Sequence, residues 1–170
     1  MATDLLRPSR GGFLRAFGCG EFIRQFLEGS GPYESQKIDP AIGAPQADIF
    51  YEYKMALIRQ TALDRATGKE EKQAQKEERR INPDNIQELA DRYARRMSYK
   101  SHGCRYHSFV VYFAMLQTLG WVEFTGQQEP STFQANYPQG QPRKYFRLTA
   151  KGLAVLPELW ANPQRALGLR

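Results

Sequence analysis

A helix followed at once by a β-hairpin is the sequence feature that most constrains the fold. Residues 106–119 read Tyr-His-Ser-Phe-Val-Val-Tyr-Phe-Ala-Met-Leu-Gln-Thr-Leu, an apolar run long enough to predict a helix. Gly120 ends this helix, and Trp121-Val-Glu-Phe-Thr predicts a strand directly after it. The segment 126–143 is rich in turn residues and predicts a long loop, after which residues 144–148 return as a second strand.

Two motifs in this part of the chain resemble the winged-helix regulators of the MarR and PadR types. The first is Leu116-Gln-Thr-Leu-Gly-Trp-Val-Glu, and the second is Arg143-Lys-Tyr-Phe-Arg-Leu-Thr-Ala-Lys-Gly. In those families a hydrophobic helix ends at Leu-x-x-x-Gly, a strand starts at once, and a second strand ends in Leu-Thr-x-Lys-Gly. The resemblance covers about the last half of the chain. It implies a sequence-specific, double-stranded DNA-binding protein, most simply a cytoplasmic, nucleoid-associated transcriptional regulator.

We therefore expect a mainly α-helical chain with a small β-hairpin wing, an α+β winged helix-turn-helix with an N-terminal helical extension. A chain of 170 residues is long enough for such a domain and an extension. Residues 1–45 are expected to form an arm and a short helix, and residues 46–80 a long helix with a charged segment. The winged-helix domain then spans residues 81–160, and residues 161–170 form a tail.

Helix signals also precede the central helix. Residues 21–28 predict a short amphipathic helix, and apolar residues four apart predict another from Gln46 to Gly68. Residues 69–80 alternate both signs of charge, so they form either a solvated helical extension or a mobile segment. Asn82, followed by Pro and Asp, is a typical helix start.

Positive charge is concentrated towards the C-terminal end of the chain, although the net charge is only +6. Residues 1–91 carry 13 basic and 15 acidic side chains, whereas residues 92–170 carry 11 basic and 3 acidic ones. This distribution is typical of a protein that binds a polyanion. The alternative is a basic surface that only keeps the protein soluble.

We predict that three groups of residues contact DNA. A basic helix face clamps phosphates, the start of the central helix reads bases in the major groove with Arg105 on guanine, and the returning strand of the wing holds the backbone. For the basic helix face and the wing, the alternative is solvated surface charge, and for the central helix it is a core helix in a protein-interaction winged helix. The residues are Arg92, Arg95, Arg96 and Lys100 on the helix face, Ser101, His102, Arg105, Tyr106 and His107 at the helix start, and Arg143, Lys144 and Arg147 on the wing.

The central helix is unusual for a recognition helix, because its body has almost no polar face. We expect this body to be buried on all sides, covered by the N-terminal helices or by a second subunit. By the resemblance to these regulators, residues 13–65 are the expected interface of a homodimer or with a protein partner, or an effector pocket. A winged-helix interaction subunit of a larger complex is the alternative function, and a plasmid or viral replication or partition accessory protein is a third.

Other classes of function find no support in the sequence. No catalytic or nucleotide-binding motif is present, so we expect neither enzymatic activity nor a cofactor. His102, Cys104 and His107 are potential metal ligands, but their spacing matches no zinc motif and we predict no metal site. No run approaches the roughly 20 apolar residues of a membrane span, and two distant cysteines suggest a reducing compartment.

Overall fold

The computed structural model describes residues 18–29, 38–100, 105–130 and 142–168, together with the backbone of two short strands near the N-terminus. This part of the chain is mainly helical and contains a three-stranded antiparallel sheet. No helix within it combines the length and the apolarity needed to cross a lipid bilayer. The helices are α1 (Cys19–Leu27), α2 (Gln46–Lys76), α3 (Pro83–Arg96), α4 (Tyr106–Thr118), α5 (Ala150–Ala154), α6 (Pro157–Ala161) and α7 (Gln164–Leu167), and the strands are β1 (Arg7–Pro8), β2 (Leu14–Arg15), β3 (Ala44–Pro45), β4 (Val122–Glu129) and β5 (Arg143–Leu148).

The chain divides into two compact units, each built from two separate stretches of sequence. The sheet unit comprises residues 18–53 and 105–170. The helical unit comprises residues 1–17 and 54–104, and within it β1 pairs with β2. Helix α2 contributes its first residues to the sheet unit and the remainder to the helical unit. The sequence-based division into four consecutive segments therefore differs from the spatial one.

The core of the sheet unit is a row of stacked aromatic rings. Phe109 and Phe113 on α4 lie with ring centroids 5.9 Å apart, and Tyr53 of α2 packs 6.3 Å from Phe109. Phe113 meets Phe146 of β5 edge to face at 5.0 Å. All four side chains are buried. These rings account for the apolar sequence of α4, because burying large rings supplies most of the stabilisation that a small domain obtains from its core.

The sheet has the strand order β3–β5–β4, with all pairs antiparallel. Strand β4 continues through Gly126 to Glu129, so the prediction of a loop from residue 126 was wrong for residues 126–129. The register shifts between Phe124 and Gln128, where Gly126 has a φ of +90°. A glycine with positive φ lets one strand carry a bulge without losing its partner. Residues 131–141 of the expected wing loop lie outside the described residues.

The end of α4 confirms the prediction for Gly120, which has a φ of +74°. Its N–H donates to the carbonyl of Gln117, and the Trp121 N–H donates to the carbonyl of Leu116. These two bonds form a Schellman motif, in which glycine adopts the left-handed conformation at no steric cost. The motif turns the chain sharply from α4 into β4, as the sequence predicted.

The two motifs behind the winged-helix resemblance contact each other directly. Thr149 caps α5 by accepting a hydrogen bond from the Gly152 N–H at 2.9 Å, and its hydroxyl donates to the carbonyl of Gly120. A Cβ at Gly152 would lie 2.2 Å from the carbonyl oxygen of Trp121, so only glycine fits there. The carbonyl of Gly152 in turn accepts from the indole of the buried Trp160 at 3.1 Å. The contacts of Thr149 with Gly120 and of Gly152 with Trp121 thus explain the spacing of the residues in both motifs.

In the helical unit, α3 folds back along α2. The ammonium of Lys54 lies 4.2 Å from the ring centroid of Tyr99, Lys69 lies 6.0 Å from the ring of Tyr93, and Glu70 accepts from Asn85. Later residues of α2 therefore contact earlier residues of the α3 segment, as in an antiparallel helical hairpin. Helix α3 begins at Asn82 as predicted, because the Asn82 side chain accepts a hydrogen bond from the Asp84 N–H.

Helix α2 continues past Gly68 to Lys76, which favours the helical extension over the mobile segment as the alternative for residues 69–76. A glycine inside a helix costs only about 1 kcal/mol relative to alanine, and the Lys, Glu and Gln residues that follow favour helix. Most of the predicted charged segment 69–80 is therefore an extension of helix α2. Glu70 and Ala74 on it are buried, which shows that one side of the extension packs.

Glu70, near the C-terminal end of α2, contacts the bend between α2 and α3. Its side chain is 3% exposed and accepts hydrogen bonds from the Arg79 guanidinium and, at 3.0 Å, from the Asn82 N–H. The hydrogen bond from Arg79, followed by that from the Asn82 backbone, lowers the pKa of Glu70 from 4.5 to about 2. One buried carboxylate therefore fixes the bend and satisfies the start of α3.

Candidate nucleic-acid interface

The structure divides the predicted DNA contacts between the two units. Four of them lie in the helical unit and six in the sheet unit, while Ser101 and His102 lie outside the described residues. The helical unit holds Arg92, Arg95, Arg96 and Lys100, and the sheet unit holds Arg105, Tyr106, His107, Arg143, Lys144 and Arg147.

The first turn of α4 presents its predicted residues to solvent. Arg105 occupies the N-cap position, and Arg105, Tyr106, His107 and Ser108 are all exposed. The Tyr106 ring meets Phe50 edge to face at 5.0 Å, which fixes its position at the rim of the core. No acidic residue lies in this turn. A helix start with open N–H groups and no carboxylate attracts phosphate.

Within one chain, the body of α4 is covered on one side only. Phe109, Phe113 and Leu116 are buried, whereas Val111 remains 58% exposed. The expected cover of the remaining side by a second subunit stays a prediction. Apart from Tyr106, whose ring lies against Phe50, the exposed residues of α4 recur at intervals of three or four and form one stripe along the helix, here called the α4 stripe. It consists of His107, Ser108, Val111, Ala114, Gln117 and Thr118.

On the wing, both predicted arginines are held by carboxylates. Arg143 pairs with Asp48 from the start of α2 and with Glu129 of β4 at 3.6 Å. Arg147 pairs at 3.0 Å with Glu123, its cross-strand partner. These pairs leave less positive potential on the outer face of the sheet than the sequence suggests.

Tyr145 and Lys144, which also lie on β5, differ in their burial and in their partners. Burial, and next a hydrogen bond to Glu129, raise the pKa of Tyr145, so its hydroxyl stays protonated and joins the ion-pair network. Lys144 is exposed, and its ammonium lies 5.6 Å from the ring of Phe124. Lys144 is therefore the wing cation that the described structure leaves most open to a phosphate.

The distribution of charged side chains between the two units differs from their distribution along the sequence. The described residues of the sheet unit carry seven basic and eight acidic side chains, whereas residues 54–100 carry twelve basic and eight acidic ones. Acidic residues from the N-terminal half, such as Asp48, join the sheet unit, and the basic residues 92–100 belong to the helical unit. The excess of positive charge is therefore in the helical unit.

The basic face of α3 is exposed throughout. Arg92 pairs with Glu88 at 3.0 Å, one turn earlier on the same helix. Arg95 and Arg96 follow in the last turn and Lys100 lies just beyond it, and within the described residues no carboxylate pairs with these three. Cations at a helix C-terminus also complement the helix dipole, so a structural role accompanies any contact with phosphate.

Sequence reasoning missed the acidic partners of the wing. Asp48 lies 95 residues from Arg143, and no local pattern links the two. The pair of Glu123 with Arg147, in contrast, follows from the register of the hairpin. His102 and Cys104 lie outside the described residues, and elsewhere in the described structure no group of three or more His, Cys, Asp or Glu side chains is placed to hold a metal ion.

The chain was predicted to resemble winged-helix regulators on two short motifs alone. No protein-family model matches it, and neither a curated protein nor a solved structure does. What the protein does must therefore be inferred from the geometry and the charges of its own residues.

Proposed function

We propose that the sheet unit is a winged helix that binds double-stranded DNA, and that the protein is a sequence-specific transcriptional regulator. The observation that carries this proposal is the first turn of α4. It is exposed, contains no carboxylate, includes Arg105, and belongs to the helix that leads directly into the β4–β5 hairpin. A helix start with these properties suits entry into a major groove.

Two further features support a winged helix. A helix that leads into an antiparallel hairpin is the arrangement that the MarR- and PadR-like motifs imply, and here a third strand, β3, extends the sheet. The two motifs also contact each other, through Thr149 on Gly120 and Gly152 on Trp121. Their joint occurrence in the sequence therefore has a structural reason within one small unit.

The proposal assigns separate roles to the exposed side chains. Arg105, Tyr106 and His107 contact base edges, because they project from the helix start that would enter the groove. Lys144 contacts the phosphodiester backbone. Arg143 and Arg147 contact phosphates only when they exchange Asp48, Glu129 or Glu123 for them, which makes the wing contribution weaker than its arginine content suggests.

Fluorescence anisotropy with a labelled duplex, obtained by selecting bound fragments from a random pool, tests the proposal. We expect Arg105→Ala to weaken binding to the selected duplex about tenfold or more and to reduce discrimination against unselected duplexes. Arg165→Ala removes an equal charge from α7 of the same unit and serves as the control. If the two variants bind alike, or if the wild-type protein binds no duplex at low salt, the proposal is wrong.

A second candidate is assembly with another protein or with a second copy of the chain. It is favoured by Leu153 and Leu156, which are 59% and 64% exposed at α5 and just after it. Large aliphatic side chains with that exposure are typical of an interaction surface when they lie close together. Light scattering after size-exclusion chromatography tests this candidate, since Leu153→Asp with Leu156→Asp should then reduce the measured mass to that of a monomer.

A further inference from the structure

We infer that the α4 stripe reads the 5-methyl groups of thymine, so that the DNA target of this protein is a duplex rich in A·T pairs. The inference rests on the proposed function and specifies the class of sequence that the same surface recognises. It concerns the middle of α4 rather than its first turn.

The stripe has the size and continuity of a base-reading surface. Its members lie on one side of a 13-residue helix, which is about 20 Å long. Val111 lies at its centre and is 58% exposed, and Ala114 follows one turn later. Both side chains are small, so the helix backbone can approach the floor of a groove closely. The stripe itself carries no aromatic residue and no arginine, which are the anchors that protein interfaces favour, although the exposed Tyr106 lies beside it in the first turn.

The chemistry of the stripe excludes the usual contacts to guanine and adenine. Guanine is read by Arg or Lys, and adenine by Asn or Gln, through paired hydrogen bonds. The stripe carries none of these side chains before Gln117 near the end of the helix. Valine and alanine instead match the one apolar group of the major groove, the thymine methyl. Ser108, beside Val111 on the same face, supplies a hydroxyl that can donate to the O4 of thymine.

The charges around the stripe suit a groove bordered by phosphates. Arg105 stands at the N-cap of α4. At the other end, Lys151 lies beside Gly120, with its Cδ 3.8 Å from the position that a Cβ of Gly120 would take. Helix α4 itself contains no acidic residue. An uncharged strip with a cation at each end is complementary to a duplex, whose charge lies on its two backbones and not on the groove floor.

The test compares duplexes that differ only in the methyl group. The full-length protein is titrated against one A·T-rich duplex made with thymine and the same duplex made with deoxyuridine. Each methyl group that is buried contributes about fourfold to affinity. We therefore expect the thymine duplex to bind at least about fourfold more tightly, and a G·C duplex with 5-methylcytosine to bind more tightly than its unmethylated form.

A variant then assigns the effect to the stripe. Val111→Ala removes two methyl groups from an exposed side chain, so the fold is retained, and we expect the ratio of thymine to deoxyuridine affinity to fall towards one. Leu167→Ala shortens an exposed leucine outside α4 and should leave the ratio unchanged.

The outcomes separate this inference from the proposed function. Duplex binding with equal affinity for thymine and deoxyuridine overturns the inference and leaves the proposed function standing. No binding to any duplex at low salt refutes the proposed function itself. If Val111→Ala disrupts self-association in light-scattering measurements while the thymine preference persists, the stripe is a protein interface and the inference is wrong.

Discussion

Gly43 offers a quantitative test of the three-stranded sheet on which the proposed interface rests. Its φ is +74°, and it precedes β3 directly. A Cβ at this position would lie 2.0 Å from the carbonyl oxygen of Phe146 and 2.7 Å from the carbonyl carbon. Both atoms belong to the backbone of β5, so no change of rotamer relieves the contact. Gly43→Ala must therefore displace β3 from β5 by about 1 Å or more.

The expected loss of stability has two parts. Placing alanine in the left-handed conformation costs roughly 1–2 kcal/mol. The displaced strand also loses its pairing of Ala44 with Phe146, which adds roughly 1–2 kcal/mol for hydrogen bonds and packing. Gly43→Ala should thus lower the free energy of unfolding of the sheet unit by about 2–4 kcal/mol.

Gly126→Ala is the matched control. Gly126 also has a positive φ, +90°, but a Cβ there would have no heavy atom within 4 Å. This variant should lose only the conformational part, about 1–2 kcal/mol.

Urea titration followed by tryptophan fluorescence measures both effects. The two tryptophans, Trp121 and Trp160, belong to the sheet unit, so their emission reports the unfolding of this unit. Equal losses for Gly43→Ala and Gly126→Ala would show that β3 does not dock on β5, and the strand order β3–β5–β4 would be refuted.

Two further substitutions test the electrostatics. Asp48→Asn releases Arg143 from its largely exposed ion pair with Asp48, which is worth about 0.2–1 kcal/mol. Duplex affinity measured by anisotropy should therefore rise by up to about fivefold. If the affinity of Asp48→Asn stays unchanged, like that of the control Glu158→Gln, this expectation is contradicted. Because the pKa of Glu70 is lowered to about 2, the stability that its carboxylate contributes is complete above pH 4.5 and is lost as the pH falls from 4.5 towards 2. Thermal melts followed by circular dichroism should show that Glu70→Gln weakens this part of the pH dependence, whereas Glu71→Gln on the exposed side of α2 retains it.

The predictions that succeeded were those determined by neighbouring residues. Gly120 ends α4 and Asn82 begins α3, because a helix end exposes N–H and carbonyl groups that only a few residue types satisfy. The hairpin after α4 was predictable for the same reason. The extent of α2 was not, since one glycine is a weak signal that a favourable helical sequence overrides.

The predictions that failed required knowledge of distant contacts. The apolar sequence of α4 gave no indication that Val111 faces solvent while Phe109 is buried, because that choice depends on where α2 and β5 lie. The pairing of Arg143 with Asp48 likewise joins residues from the two separate stretches of the sheet unit. Charge counted along the chain therefore overstated the positive charge of the predicted wing.

This redistribution of charge determines how steeply DNA binding should depend on salt. In the described sheet unit, Arg24, Arg143 and Arg147 are held in ion pairs. If these three pairs persist in the complex, four of the seven basic side chains in the described part of the unit remain for phosphates. Each phosphate neutralised contributes about 0.9 to the slope of log affinity against log salt concentration.

Contact through the sheet unit alone should therefore give a slope no steeper than about −4. A markedly steeper slope would mean that the basic face of α3 contributes. Combined replacement of Arg95, Arg96 and Lys100 by alanine should then lower the magnitude of the slope by about 3 while leaving the thymine preference intact. Salt dependence and base preference thus report on different residues, and measuring both on the same variants distinguishes general attraction to a polyanion from recognition of a sequence by α4.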